Sequence, residues 1–267
     1  MTGSGRLPDA ADAPQHAVRL EDVSMAYGNV IALRNVDFAV GRNEIVGLVG
    51  DNGAGKSTLI KIITGVQRPT SGRLYIRDKL IPWSEYSVRR AHELRIETVY
   101  QEKSLGEKQP LWRNFFAGRQ ITDRLGFIKV RQQKEIADRI LLDTIGFRGV
   151  GIDADSTVSK LSGGERQGVA IGRAMHFDAD LIVLDEPTVA LALKEVRKVL
   201  AFIEKIKARG RACIYIEHNL AHVHELADRL VVVDRGEVVS VIAKGEMSLH
   251  DLTDHLLALQ AAKEAQA

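Results

Sequence analysis

The sequence is most easily bounded by what it lacks. It holds one cysteine, Cys213, so it can form neither an internal disulfide nor a cysteine-only zinc site, and a lone thiol fits a reducing compartment. No apolar run approaches the roughly 18 residues that a membrane helix needs. The opening, MTGSGRLPDAADAPQH, is polar and has no apolar signal-peptide core, so export is not expected. Neither sign of charge is in excess: 37 Lys and Arg against 35 Asp and Glu give a formal net charge of +2. So near-neutral a balance gives no general electrostatic case for nucleic acid or an anionic membrane. No internal repeat is visible. What is present is 267 residues, 45% hydrophobic and 27% charged. That excludes disorder along the whole chain and allows one large domain, or a domain with a subdomain.

Residues 1–16 read as a flexible tail, and order is expected from residue 17. VRLEDVSMAYG, ALRNVDFAV and EIVGLVG read as strands, the last a short apolar run suited to burial on both faces. KSTLIKIITG reads as a helix with an apolar side at Leu59, Ile60, Ile62 and Ile63, stopped by Gly65. RLYIRD and IETVYQ follow as strands. From about residue 103 to 176 strand runs vanish and helical patterns such as VRQQKEIADRILLDTI take over. LIVLDEP, ACIYIEH and RLVVVDRGEVVSVI return to strand, with a helix between, which gives alternating βαβ units. SLHDLTDHLLALQ closes the chain as a helix started by Ser248, with Asp251 three residues on.

The strongest local motif is Gly50-Asp51-Asn52-Gly53-Ala54-Gly55-Lys56-Ser57, which matches G-x-x-x-x-G-K-[ST] in full between a strand and a helix. Glycines let the backbone approach an anion closely. Successive N–H groups and the positive end of the helix then surround phosphates. Lys56 is expected to reach the β- and γ-phosphates of a nucleotide and Ser57 to offer its hydroxyl to Mg²⁺, with Thr58 beside it in the same binding set. LIVLDEP adds two acids at the end of a parallel strand, where open α/β sheets bind ligands. Asp185 suits a hard cation. Glu186 suits a water to be oriented or deprotonated. In LSGGERQ, Ser162 and Glu165 form a capping box. Gly163 and Gly164 are poor helix formers in a first turn; an explanation is that this helix end must lie against a second anion.

Phosphate loop, helical stretch, LSGGERQ and LIVLDEP, in that order, resemble the nucleotide-binding subunits of ABC transporters over nearly the whole chain after the tail. The resemblance implies an α/β fold: a P-loop NTPase (RecA-like) core, an ABC-type antiparallel β subdomain and a helical signature subdomain. Residues 17–247 would be the ATPase domain, about 103–176 its helical part, and 248–267 a C-terminal helix and tail. It implies ATP hydrolysis by two copies stacked head to tail, with Ser162, Gly163 and Gly164 of one copy against ATP held by the other. It also gives Tyr27, in AYGNVIAL, the stacking role on adenine. Gln101, in VYQEKS, matches the glutamine that joins the metal and catalytic site to the helical subdomain. His218, in IYIEHNLA, matches the switch histidine at the γ-phosphate.

GDNGAGKSTLIKIITG and VYQEKSL most resemble the ATPases of bacterial importers for ribose, xylose and fructose. With room for one ATPase domain, a homodimer is implied. It would sit at the inner face of the cell membrane, bound to a permease and served by a periplasmic sugar-binding protein, with no nucleic acid as partner. Other readings are an ATPase of an amino-acid importer or exporter, a non-transport clamp, or a binding-only switch. Two positions depart from the family pattern: Ala192, where an Asp is usual, and Glu217, where a Ser is usual. A carboxylate facing the His218 ring would favour its imidazolium form, but strand neighbours point to opposite faces. His218, His222 and His224 allow a metal site by spacing, without an acid or Cys to complete it. Trp112, Phe115 and Phe116 fit either a docking face for a permease helix or an ordinary buried face.

Overall fold

The computed structural model describes residues 15–99, 105–142 and 151–264, with side chains described as far as 259. In chain order the elements are β1 (His16–Tyr27), β2 (Val30–Gly41), β3 (Ile45–Val49), α1 (Lys56–Ile63), β4 (Ser71–Ile76), β5 (Lys79–Ile81), α2 (Val88–Glu93), β6 (Ile96–Val99), α3 (Leu111–Phe115), α4 (Val130–Ile140), α5 (Gly163–His176), β7 (Leu181–Asp185), α6 (Leu193–Ala208), β8 (Ala212–Ile216), α7 (Leu220–Leu226), β9 (Arg229–Asp234), β10 (Glu237–Ala243) and α8 (Leu249–Glu264). The first strand starts at His16, at the last residue assigned to the tail.

Two sheets organise the molecule. One is antiparallel, in the order β2-β1-β4-β5. The other has the order β10-β9-β3-β8-β7-β6, parallel except at the β10 edge. β3 and β8 are buried at every position and β7 at every position before Asp185. That is the consequence of covering a parallel sheet on both faces. On one face, Val46, Leu48, Val183, Ile214 and Ile216 pack against Leu59, Ile60, Ile62 and Ile63 of α1 and against the antiparallel sheet. On the other, Ile45, Ile182, Leu184, Cys213 and Tyr215 meet α5, α6 and α7. The spacing Val196, Val199, Phe202, Ile203, Ile206 turns one stripe of α6 to this core.

A third core lies in the helical stretch. Trp112, Phe115 and Phe116 are buried there with Leu111, Ile140 and Val169. Of the two readings open for this aromatic trio, the buried face is the one observed. α5 belongs to both regions: Val169 faces the helical core, while Ala170, Ile171 and Ala174 face the sheet. Just before β7, Asp180 gathers Arg77, Arg95 and Arg211, joining the end of β4 to the parallel sheet.

Candidate functional site

β3, β7 and β8 are neighbours in the order β3-β8-β7 and run the same way. Their carboxyl ends therefore lie together, and everything that follows is hung from them. After β3 the chain turns through Gly50, whose φ of 149° is open to glycine and whose added Cβ would lie 2.0 Å from the Val233 carbonyl oxygen. Gly55 caps α1 at φ 111° with no side chain to satisfy the first-turn N–H groups, so those donors remain for an anion. The tip of the β9–β10 hairpin fixes the loop from outside. Gly236 donates to the Ala54 carbonyl at 2.8 Å, and its own carbonyl accepts from Arg34 at 2.8 Å.

Asp51, Asn52, Gly53 and Ser57 are exposed on this turn, Thr58 is half-buried, and Ala54 and Gly55 are covered. Lys56, 6% exposed, folds back into the loop. Its Nζ donates to the Gly50 carbonyl at 2.5 Å and the Asp51 carbonyl at 2.9 Å. Burial lowers the ammonium pKa from its ordinary value, opposed by the charges of Glu186, Asp51 and Asp185. The loop thus holds a cation against its own carbonyls, beside the uncapped first-turn N–H groups of α1, which is the chemistry of a polyphosphate site.

Asp185 ends β7, opposite Ile216 of β8. Burial, then the neighbouring Glu186 charge, pushes its carboxyl above the ordinary range, while Lys56, Lys61 and His218 pull it back. An acid so placed gains from a nearby cation. With the Ser57 hydroxyl it makes a hard, all-oxygen donor pair, which fits Mg²⁺. Glu186 follows at φ 49°, a left-handed conformation costly for a side chain of this size. Its N–H donates to the Ile216 carbonyl at 3.0 Å. Its carboxylate accepts from His218 Nε2 at 2.8 Å. A carboxylate only accepts, so the proton of that pair lies on Nε2. Glu217 does not face the His218 ring: its Oε1 accepts the His218 backbone N–H at 2.9 Å.

The LSGGERQ segment starts α5 with a complete capping box between Ser162 and Glu165. Its glycines have a reason the sequence did not offer. A Cβ on Gly163 would lie 2.5 Å from Leu191 Cδ2, and one on Gly164 would lie 2.7 Å from the Glu195 Cβ. They let α5 approach the start of α6. An anion also sits at this helix end, supplied by the chain itself. The Glu195 carboxylate takes hydrogen bonds from the Ser162 side chain and from the backbone of Ala192 and Gly164, which holds it below the ordinary range. Glu195 had one signal in the sequence, an acid at the third position of a helix; its pairing with Ser162 had none.

Tyr27 is 43% exposed at the end of β1, its hydroxyl donating to Gln67 at 2.5 Å. Gln101 lies outside the described residues. β6, which leads towards it, borders a cavity of about 240 Å³ lined by Thr64, His92, Glu97, Leu105, Ala170 and Arg173. No cluster of three or more metal-binding side chains is found among the described residues. His222 pairs with Asn219, and His224 with the Met247 carbonyl. Among the described residues no helix is long and apolar enough to cross a membrane.

The family model described as ABC transporter matches residues 33–189. A xylose/arabinose import ATP-binding protein of Sulfolobus acidocaldarius is 38% identical over 237 residues, 89% of this chain and 92% of that protein. A fructose import ATP-binding protein of Rhizobium meliloti is 37% identical, over 84% of this chain and 87% of its own. A ribose import ATP-binding protein of Rubrobacter xylanophilus is also 37% identical, but the match spans only 45% of its length. Among solved structures, a nucleotide-free ATP-binding cassette of an ABC transporter superposes with a TM-score of 0.75 at 24% identity, covering 91% of this chain and 95% of that one. A cassette in its ADP conformation gives 0.73 at 25% identity, over 88% and 94%.

Proposed function

The chain belongs to the ABC transporter family, and from that membership we propose that it is the ATP-hydrolysing subunit of an importer for a simple sugar. One observation carries the enzymatic part: the phosphate loop with Lys56, the pair Asp185–Glu186 and His218 stand at the adjoining ends of three parallel strands, with Glu186 and His218 2.8 Å apart. The sugar part is supported by likeness to the xylose/arabinose and fructose import proteins over most of both chains.

In this reading Tyr27 stacks on adenine and the loop from Gly50 to Thr58 wraps the phosphates through its N–H groups. Lys56 leaves its two carbonyl partners for the β- and γ-phosphates. Ser57, Asp185 and Gln101 hold Mg²⁺, which when bound offsets phosphate charge. Glu186 accepts a proton from water as the water oxygen bonds to the γ-phosphorus and the bond to the β-bridging oxygen breaks, leaving ADP. His218, with its proton on Nε2, holds Glu186 in the nucleotide-free subunit and turns that one donor to the γ-phosphate when ATP is bound. Ser162, Gly163 and Gly164 act on the ATP of a second copy, so Glu195 must release their donors as the dimer closes. Hydrolysis removes the bridging phosphate and the dimer opens.

The membrane permease docks at the cavity beside β6, where Arg119 and His92 meet the buried Glu97. In this reading the protein works on the cytoplasmic face, with a periplasmic binding protein choosing the sugar. The test is purification with its permease in mild detergent, followed by ATP turnover and by uptake of labelled xylose, ribose and fructose in cells lacking the chain. Sugar-stimulated turnover and lost uptake of one sugar are expected. Turnover with no effect on any sugar overturns the importer reading and leaves the ATPase.

A further inference from the structure

Glu217 is a carboxylate only 4% exposed, beside a site already dense in acids. Burying such a charge is costly unless every lone pair finds a donor. Among the described residues its hydrogen-bond partners are all donors. Oε1 accepts the backbone N–H of His218 at 2.9 Å and of Asn219 at 3.4 Å. Oε2 accepts the Thr188 hydroxyl in a close contact and the Tyr215 hydroxyl at 3.4 Å. Tyr215 is wholly buried. That burial, and next the Glu217 charge, raises its phenol pKa far above the ordinary value, so it stays a donor. Thr188, 6% exposed, stands two residues after Glu186. The serine usual here in the family resembled has one oxygen and could not take up these donors together.

We propose that Glu217 is a positioning residue for ATP hydrolysis, clipping the loop that carries His218 to the loop that carries Glu186. It rests on the roles proposed above for those two residues. The two loops meet at three levels. The Glu186 N–H bonds to the Ile216 carbonyl, Thr188 bonds to Glu217, and the His218 ring bonds to Glu186. The ring is half exposed, so packing alone does not hold it. Glu186 itself sits in a left-handed backbone conformation, which persists only where its surroundings over-determine it. The clip supplies that restraint from the buried side.

The experiment compares Glu217→Gln, Thr188→Val, Thr188→Ser and the double variant Glu217→Gln/Thr188→Val with the parent chain. It measures kcat, KM for ATP, ATP affinity and the melting temperature, with Glu186→Gln run alongside. Misplacing reacting groups by an ångström costs up to about 100-fold, so about a tenfold loss of kcat is expected for Glu217→Gln and Thr188→Val. KM and ATP affinity should stay within about twofold, Thr188→Ser should retain the parent rate, and the double variant should be no slower than the worse single one. Thr188→Val keeps the test open should Glu217→Gln fold poorly. Unchanged kcat in both variants, a loss that appears in KM, or multiplied losses in the double variant would overturn the clip. Full turnover of Glu186→Gln would instead overturn the catalytic reading on which it rests.

Discussion

Replacing Glu195 by Gln should make ATP-driven dimerisation easier. In the single subunit the Glu195 carboxylate already takes the Ser162 side-chain donor and the Gly164 N–H, the two donors assigned to the partner's γ-phosphate. Each closure must break these bonds before the phosphate can make them. A hydrogen bond to a charged group is worth about 1.5–3 kcal/mol when well buried. Glu195 is only half-buried, and water reduces the advantage of carboxylate over amide to about 0.5 kcal/mol. Two cradles are vacated per dimer, so the variant gains about 1 kcal/mol, or roughly fivefold in the dimer constant. Glutamine still accepts the Ala192 N–H, so the start of α6 is kept. Both chains should carry Glu186→Gln to stop hydrolysis, and sedimentation velocity across an ATP titration reads the monomer–dimer midpoint. ATP affinity of the monomer should not move. A midpoint that stays put, or rises, refutes the competition and makes Glu195 a brace for the signature segment.

Glu186→Gln should leave ATP binding intact and reduce turnover by about 100- to 10,000-fold, read by phosphate release against equilibrium nucleotide binding. Gly50→Ala should unfold the phosphate loop, because its Cβ meets the Val233 carbonyl oxygen at 2.0 Å, whereas Gly53→Ala, with nothing within 4 Å, should cost only about 1–2 kcal/mol of backbone strain; melting curves separate the two. Ala192→Asp, at the N-cap of α6 where no side chain now caps, should stabilise the fold by about 1 kcal/mol, a rise of about 2–4 °C in Tm. Burial pushes the Cys213 thiol well above its ordinary range, so thiol reagents should label it only at the rate of unfolding, measured by mass shift in rising urea.

Elements with a local signal were legible in the residue order alone. The buried runs at β3, β7 and β8 read as strands because a sheet covered on both faces needs apolar residues at successive positions. The phosphate loop and the capping box of α5 were legible because each fixes its partners within a few residues. The two departures, Ala192 and Glu217, were visible as oddities, but not what they touch. Tertiary structure decided those contacts. Glu217 meets Thr188 29 residues away, and Glu195 reaches Ser162 across two helices. It also decided that Trp112, Phe115 and Phe116 turn inward, since one apolar stripe serves a core or a partner equally well until the helices it packs against are in place. Gly163 and Gly164 show the division within a single motif. Their rarity in a helix start was readable, while the reason, the close passage of α6, exists only once the chain has folded.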